Sequence, residues 1–137
     1  MEAKKLTFSD LRKANLARLP EFKNRKGRPA HSMKDGSDWK LSAWSNAVLG
    51  ELGEAANLIK KIERGDLSLE EARGDLGKEL ADVQVYLDIL AFRAGVNLGD
   101  ATIQKFNEVS LRVGSTIRLT HAGMHRESGR PKGTEGR

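Results

Sequence analysis

Two stretches with the periodicity of long helices stand four residues apart, and that spacing constrains the fold more than any other feature of the chain. In the first, from about Trp39 or Ser42 to Arg64, Val48, Leu52, Ala55, Ile59 and Ile62 recur at alternating steps of four and three, which makes one apolar stripe. In the second, about Leu69 to Arg93, the stripe is Leu76, Leu80, Val83, Leu87 and Leu90, running on to Ala94. Gly65 stops the first helix. Ser68 and Glu71 form a capping box that starts the next. So short a connection folds the pair into an antiparallel hairpin.

The hairpin sets four acids in register. Residues three apart share a helix face, so Glu51 and Glu54 point one way, and so do Glu79 and Asp82. Glu54 lies ten residues before Arg64, and Glu79 lies ten residues after Leu69. At about 1.5 Å per residue both legs are roughly 15 Å. Glu54 is therefore level with Glu79, and Glu51 with Asp82. Four carboxylates at one height repel unless something compensates them, and divalent cations do so economically. An all-oxygen donor set favours Mg²⁺ or Mn²⁺. Di-iron bundles use a Glu-x-x-His pair, and no histidine lies on either long helix, which argues against redox iron. The plain alternative is a solvated acidic face, but two pairs in hairpin register exceed ordinary charge patterning.

The rest of the chain is built around this hairpin. A first helix spans about residues 8–19, capped by Thr7, with Asp10 in its first turn and Pro20 at its end. Residues 20–38 have no periodicity and read as a long loop. A fourth helix, about 101–113, is capped by Asp100, turns Ile103, Phe106, Val109 and Val113 inward and ends at Gly114. Residues 115–137 are poor in apolar side chains and read as a disordered basic tail. No strand alternation is visible. The expected fold is all-α: a long-helix hairpin and two shorter helices in one domain over 1–114, with its catalytic part at 38–114. The hairpin's stripes need more cover than two short helices give, so oligomerisation is expected to complete the bundle.

Charge and composition narrow the function. Residues 1–35 hold 10 Lys/Arg against 4 Asp/Glu, residues 36–114 hold 9 against 13, and residues 115–137 hold 5 against 2. The net +5 thus hides an acidic middle between basic ends, which is not the basic face of a nucleic-acid binder. There are no cysteines, so no thiol chemistry. No apolar run approaches the ~18 residues of a membrane span, and residues 1–10 lack the apolar core of a signal peptide. The expected compartment is the cytoplasm, and the host cytoplasm if the chain is phage-encoded.

The pattern E-x-x-E, 24 residues, E-x-x-D at Glu51, Glu54, Glu79 and Asp82 resembles the MazG-like all-α nucleoside triphosphate pyrophosphohydrolases. "AVLGELGEAANLIKKI" and the stretch from "KELADVQVYLDIL" to "SLRVG" extend the resemblance over about 38–114. It implies that the four acids bind Mg²⁺. It implies cleavage between the α and β phosphates, and assembly as a homodimer or homotetramer. Where some members carry an extra acid before the first motif glutamate, this chain has Gly50. "LTFSDLRKANLARLPEF" is similar to the phage-type dATP/dGTP branch, which implies a purine substrate. The resemblance also favours Lys105 and Asn107 as substrate contacts, although Asn107 is off the face that Lys105 shares with Arg112.

Other candidates follow from position. Trp44 sits one heptad before Glu51 and can stack on a base or serve the core; Trp39 lies near the same helix's start. Tyr86 is one heptad after Glu79 and faces sugar or packs. Lys61, on the carboxylate face, is the phosphate candidate, whereas Lys60 points away. Asn15 sits among Phe8, Leu11, Leu16 and Leu19, so its amide needs a partner: a base edge or the backbone. An asparagine donates and accepts, so it suits either purine. His121 and His125 have i, i+4 spacing outside any expected helix, and His31 carries no signal. The competing readings are a pyrimidine-preferring or house-cleaning pyrophosphatase, a non-catalytic helical module whose basic ends bind nucleic acid, and a carboxylate bundle storing metal.

Overall fold

The computed structural model describes residues 3–129. Among the described residues four helices carry the fold: α1 (Phe8–Arg18), α2 (Leu41–Glu63), α3 (Leu69–Arg93) and α4 (Leu98–Arg112). A single 3₁₀ turn, Leu19–Glu21, follows α1. A two-stranded antiparallel sheet, β1 (Ile117–Thr120) with β2 (Gly123–Arg126), follows α4. The chain is mostly helical rather than all-α. The stretch 117–126, expected to be unstructured and free of strands, is a β-hairpin in which Leu119 pairs with Met124. The last residues of the expected tail, 130–137, lie outside the described residues.

Local chemistry sets the helix ends. Thr7 accepts from the Asp10 N–H at 3.1 Å while Asp10 accepts from the Thr7 N–H, and Ser68 and Glu71 repeat this reciprocal cap. Helix α2 ends in a Schellman motif: Gly65 adopts φ +80°, its N–H bonds the Ile62 carbonyl, and the Asp66 N–H bonds Lys61. Helix α4 starts three residues earlier than expected, because the Asn97 side chain accepts from the Asp100 N–H at 3.0 Å. Asp100 is thus a first-turn acid, and Asn97 is the cap.

The described chain divides into two compact units, residues 1–96 and residues from 97 onward. In the first, α2 packs along α3 as the antiparallel hairpin, and α1 lies on α3. Trp44, Leu19 and Ile89 form the buried centre. Polar groups dock α1: Arg12 Nε reaches Asp88 Oδ1 at 3.0 Å and Oδ2 at 3.2 Å. The apolar stripe expected on α1 is only partly inward, since Phe8 is 45% exposed whereas Asn15 is 3%. In the second unit, Asn107 acts as a false strand residue. Its Oδ1 accepts from the Leu119 N–H at 2.8 Å, and its Nδ2 donates to the Leu119 carbonyl at 2.9 Å, joining β1 to α4.

The loop 20–38 is built from backbone-directed bonds. The Ser32 hydroxyl donates to the Phe22 carbonyl at 2.6 Å, and Asp38 accepts from the Met33 N–H at 3.1 Å. Arg93, at the end of α3, donates to the Met33 carbonyl at 3.0 Å. Gly36, beneath the Arg93 guanidinium, has φ +71°, a backbone conformation that favours glycine.

Candidate metal and nucleotide site

Carboxylate oxygens of Glu51 on α2 and of Glu79 and Asp82 on α3 come within 4.8 Å of one another. The hairpin register delivers three of the four expected acids. Glu54 is exposed and lies outside this group, although its charge still bears on Glu51. Burial pushes the Glu51 carboxyl above its usual 4.5, and the negative charges of Asp82 and Glu79 push it further, with contact from the Glu79 side chain and the Glu54 charge adding to the effect. None of the three acids makes an ion pair with a basic side chain among the described residues. The donors are all oxygen and come from two rigid helices. These residues fit a hard divalent cation in charge, donor type and spacing.

A cavity of about 230 Å³ opens beside the cluster, with Glu51 and Asp82 in its wall. Asn15, Arg18, Leu19, Phe22 and His31 come to it from α1 and the loop. Trp44, Val85, Tyr86 and Ile89 come from the hairpin. The aromatic side chains form a continuous set. The His31 ring lies 4.7 Å from Trp39, 5.4 Å from Phe22 and 5.7 Å, edge-on, from Trp44, all between centroids. Burial lowers the His31 pKa from 6.5, with the Asp38 charge pulling the other way. Burial raises that of Tyr86 from 10.0, reinforced by Glu51 and Asp82 and opposed by Arg18. Arg18 stacks 5.7 Å over the Phe22 ring and makes no ion pair among the described residues.

The structure brings some expected residues to this site and employs others elsewhere. Asn15 and Tyr86 line the cavity. Trp44 does too, but its ring is fully buried, covered by Trp39 and His31, so it is a core wall rather than an open stacking face. Its indole N–H has no hydrogen-bond partner among the described residues. Lys61 is exposed near the end of α2 and does not line the cavity. Lys105 pairs with Glu108 one turn away, and the Asn107 amide is spent on Leu119.

Sequence reading missed Arg18, Phe22 and His31. Arg18 and Phe22 flank the Pro20 turn, and the turn swings both toward the hairpin. His31 has φ +57°, uncommon for a residue with a side chain, and nothing in the periodicity marks it. Among the described residues His121 joins no metal-like set: its Nε2 lies 3.1 Å from Asp100 Oδ1.

No helix among the described residues is long and apolar enough to cross a membrane. No protein-family model matches the chain, and no solved structure matches it. Among curated proteins, it is 36% identical over 74 residues to "Gene 37 protein" of Mycobacterium phage L5. That alignment covers 53% of this chain and 65% of the phage protein, whose name states no activity.

Proposed function

We propose that the chain is a Mg²⁺-dependent nucleoside triphosphate pyrophosphohydrolase of the MazG-like kind, with Mn²⁺ as a substitute ion and purine deoxynucleotides as substrates. One observation carries the reading: three carboxylates from two helices converge, and two of them, Glu51 and Asp82, stand in the wall of an aromatic-lined cavity. The phosphates then lie at the acids and the base among the rings. Water adds to the α-phosphorus and the bond to the bridging oxygen breaks, so triphosphate and water become monophosphate and pyrophosphate. A divalent cation held by Glu51, Glu79 and Asp82 supplies charge neutralisation for the phosphate oxygens and a more acidic water.

The chain's own residues do the rest. Glu54 is exposed and lies outside the triad, which leaves it to accept the proton from the attacking water. Arg18 brings positive charge to the cavity and compensates phosphate there. Phe22, His31 and Tyr86 keep exposed surface at the cavity and offer the stacking faces that Trp44 does not. Leu49, Leu52 and Ile59 on α2 and Leu80 on α3 are 62%, 48%, 43% and 49% exposed, a face suited to a second copy of the chain. A homodimer, or a tetramer of two such dimers, is the proposed assembly, acting in the cytoplasm of a phage's host.

Titration with Mn²⁺ or Mg²⁺, with and without nucleotide, tests the reading. A pyrophosphohydrolase binds the cation more tightly when nucleotide is present. Cation binding that ignores nucleotide supports metal storage instead, and no binding at all supports a non-catalytic module.

A further inference from the structure

Asn15 is 3% exposed and lines the cavity. Its Nδ2 donates to Asp88 Oδ2 at 2.9 Å and to the Val85 carbonyl at 3.3 Å. Both partners are oxygens that only accept, so the amide cannot turn over without setting its own oxygen against them. Asp88 is fixed in turn: it is 2% exposed, and Arg12 grips both of its carboxylate oxygens and, through Nη2, its carbonyl at 3.3 Å. With both amide hydrogens committed, the Asn15 carbonyl oxygen is the group left for a ligand. It accepts no hydrogen bond among the described residues.

We propose that Asp88 is a positioning residue that fixes Asn15 as a pure acceptor, so that the cavity selects bases presenting N–H donors, guanine ahead of adenine. This rests on the nucleotide reading above, and it removes the ambivalence that an asparagine has in sequence. Guanine carries adjacent donors, N1–H and the N2 amine, and one carbonyl oxygen with two lone pairs takes both. Adenine sets its single amine beside an acceptor nitrogen. Thymine holds its one N–H between two carbonyls, which face the Asn15 oxygen unfavourably.

The test is binding of dGMP, dIMP, dAMP and dTMP to the full chain, by calorimetry, because monophosphate binding needs no turnover. dIMP is dGMP without its N2 amine. Wild type is expected to hold dGMP about tenfold more tightly than dIMP, with dAMP and dTMP weaker than dGMP. In Asn15→Ala the dGMP-to-dIMP ratio falls to about one. In Asp88→Asn the new amide can donate to the Asn15 oxygen, the side chain is free to turn, and the ratio falls likewise. Should Asp88→Asn fail to fold, wild type and Asn15→Ala decide between them. Equal binding of dGMP and dIMP by wild type, a ratio that survives Asn15→Ala, or no binding of any of the four overturns the proposal. Equal weakening of all four by Asp88→Asn overturns the part given to Asp88. An intact dGMP preference without pyrophosphate release from any triphosphate counts against the hydrolase reading alone and leaves Asn15 as the base reader.

Discussion

Glu51 and Asp82, on opposite strokes of the α2–α3 hairpin, bring carboxylate oxygens within 4.8 Å of each other. The Gly65 stop and the Ser68 cap set this meeting, because they fix how many residues each helix spends returning to the same height. Removing the negative charge at this point should relieve repulsion and remove a ligand at once. Glu51→Gln and Glu79→Gln are expected to fold, to resist heat better than wild type without cation, and to lose cation-dependent hydrolysis by on the order of 100-fold or more. Wild-type turnover in either variant would contradict the assignment of these acids.

The raised Glu51 pKa gives a pH dependence of known sign. A folded carboxyl titrating above its unfolded value keeps a proton that the unfolded chain has released. Its contribution to stability is fully present below about 4.5 and is lost as pH rises through the folded value. The melting-temperature advantage of Glu51→Gln over wild type should therefore be small below that window and grow above it. Divalent cation should displace the proton, so its affinity for wild type should fall as pH drops through the same window. A cation affinity unchanged across it would show that Glu51 is not a ligand.

The pair that docks α1 should be costly to break from one side. Arg12→Ala leaves the Asp88 carboxylate, 2% exposed, with the Asn15 amide as its one remaining side-chain partner among the described residues. Removing one partner of a buried ion pair costs about 3 kcal/mol. Urea unfolding should register that loss, and a change under about 0.5 kcal/mol would show that α1 docks by other means.

Asn107 offers a separate test in the second unit. Its amide makes two hydrogen bonds to Leu119. Asn107→Ala should cost about 1–2 kcal/mol, and hydrogen exchange at the Leu119 amide should speed up markedly while the α2–α3 hairpin stays protected. Unchanged exchange at Leu119 would show that β1 holds to α4 without the bridge.

Much of this was legible in the sequence because it depends on local spacing. The helix stop at Gly65, the caps at Thr7 and Ser68, and the meeting of Glu51 with Asp82 all follow from counting residues along regular helices. Helical spacing could not show that Glu54 falls outside the cluster, because side-chain direction decides that. The loop was opaque for a different reason. Its shape comes from single bonds such as Ser32 to Phe22 and from Arg93 lying on Gly36, and neither leaves a period. His31 and Arg18 reach the cavity through that loop and the Pro20 turn. Strands of four residues, one of them starting at a glycine, are too short for alternation to register, so the 117–126 hairpin read as tail. Asn15 was visible as a polar residue in an apolar stripe, but its partner Asp88 lies 73 positions away.

Pyrophosphate release tests the central claim most directly. The chain is incubated with each of the eight common ribo- and deoxyribonucleoside triphosphates, with Mg²⁺ and with chelator, and both products are identified. The expected result is monophosphate and pyrophosphate in equal amounts, only with Mg²⁺, fastest from the purine deoxynucleotides and lost in Glu79→Gln. No pyrophosphate from any of the eight, or release of orthophosphate with diphosphate as the partner product, would contradict it.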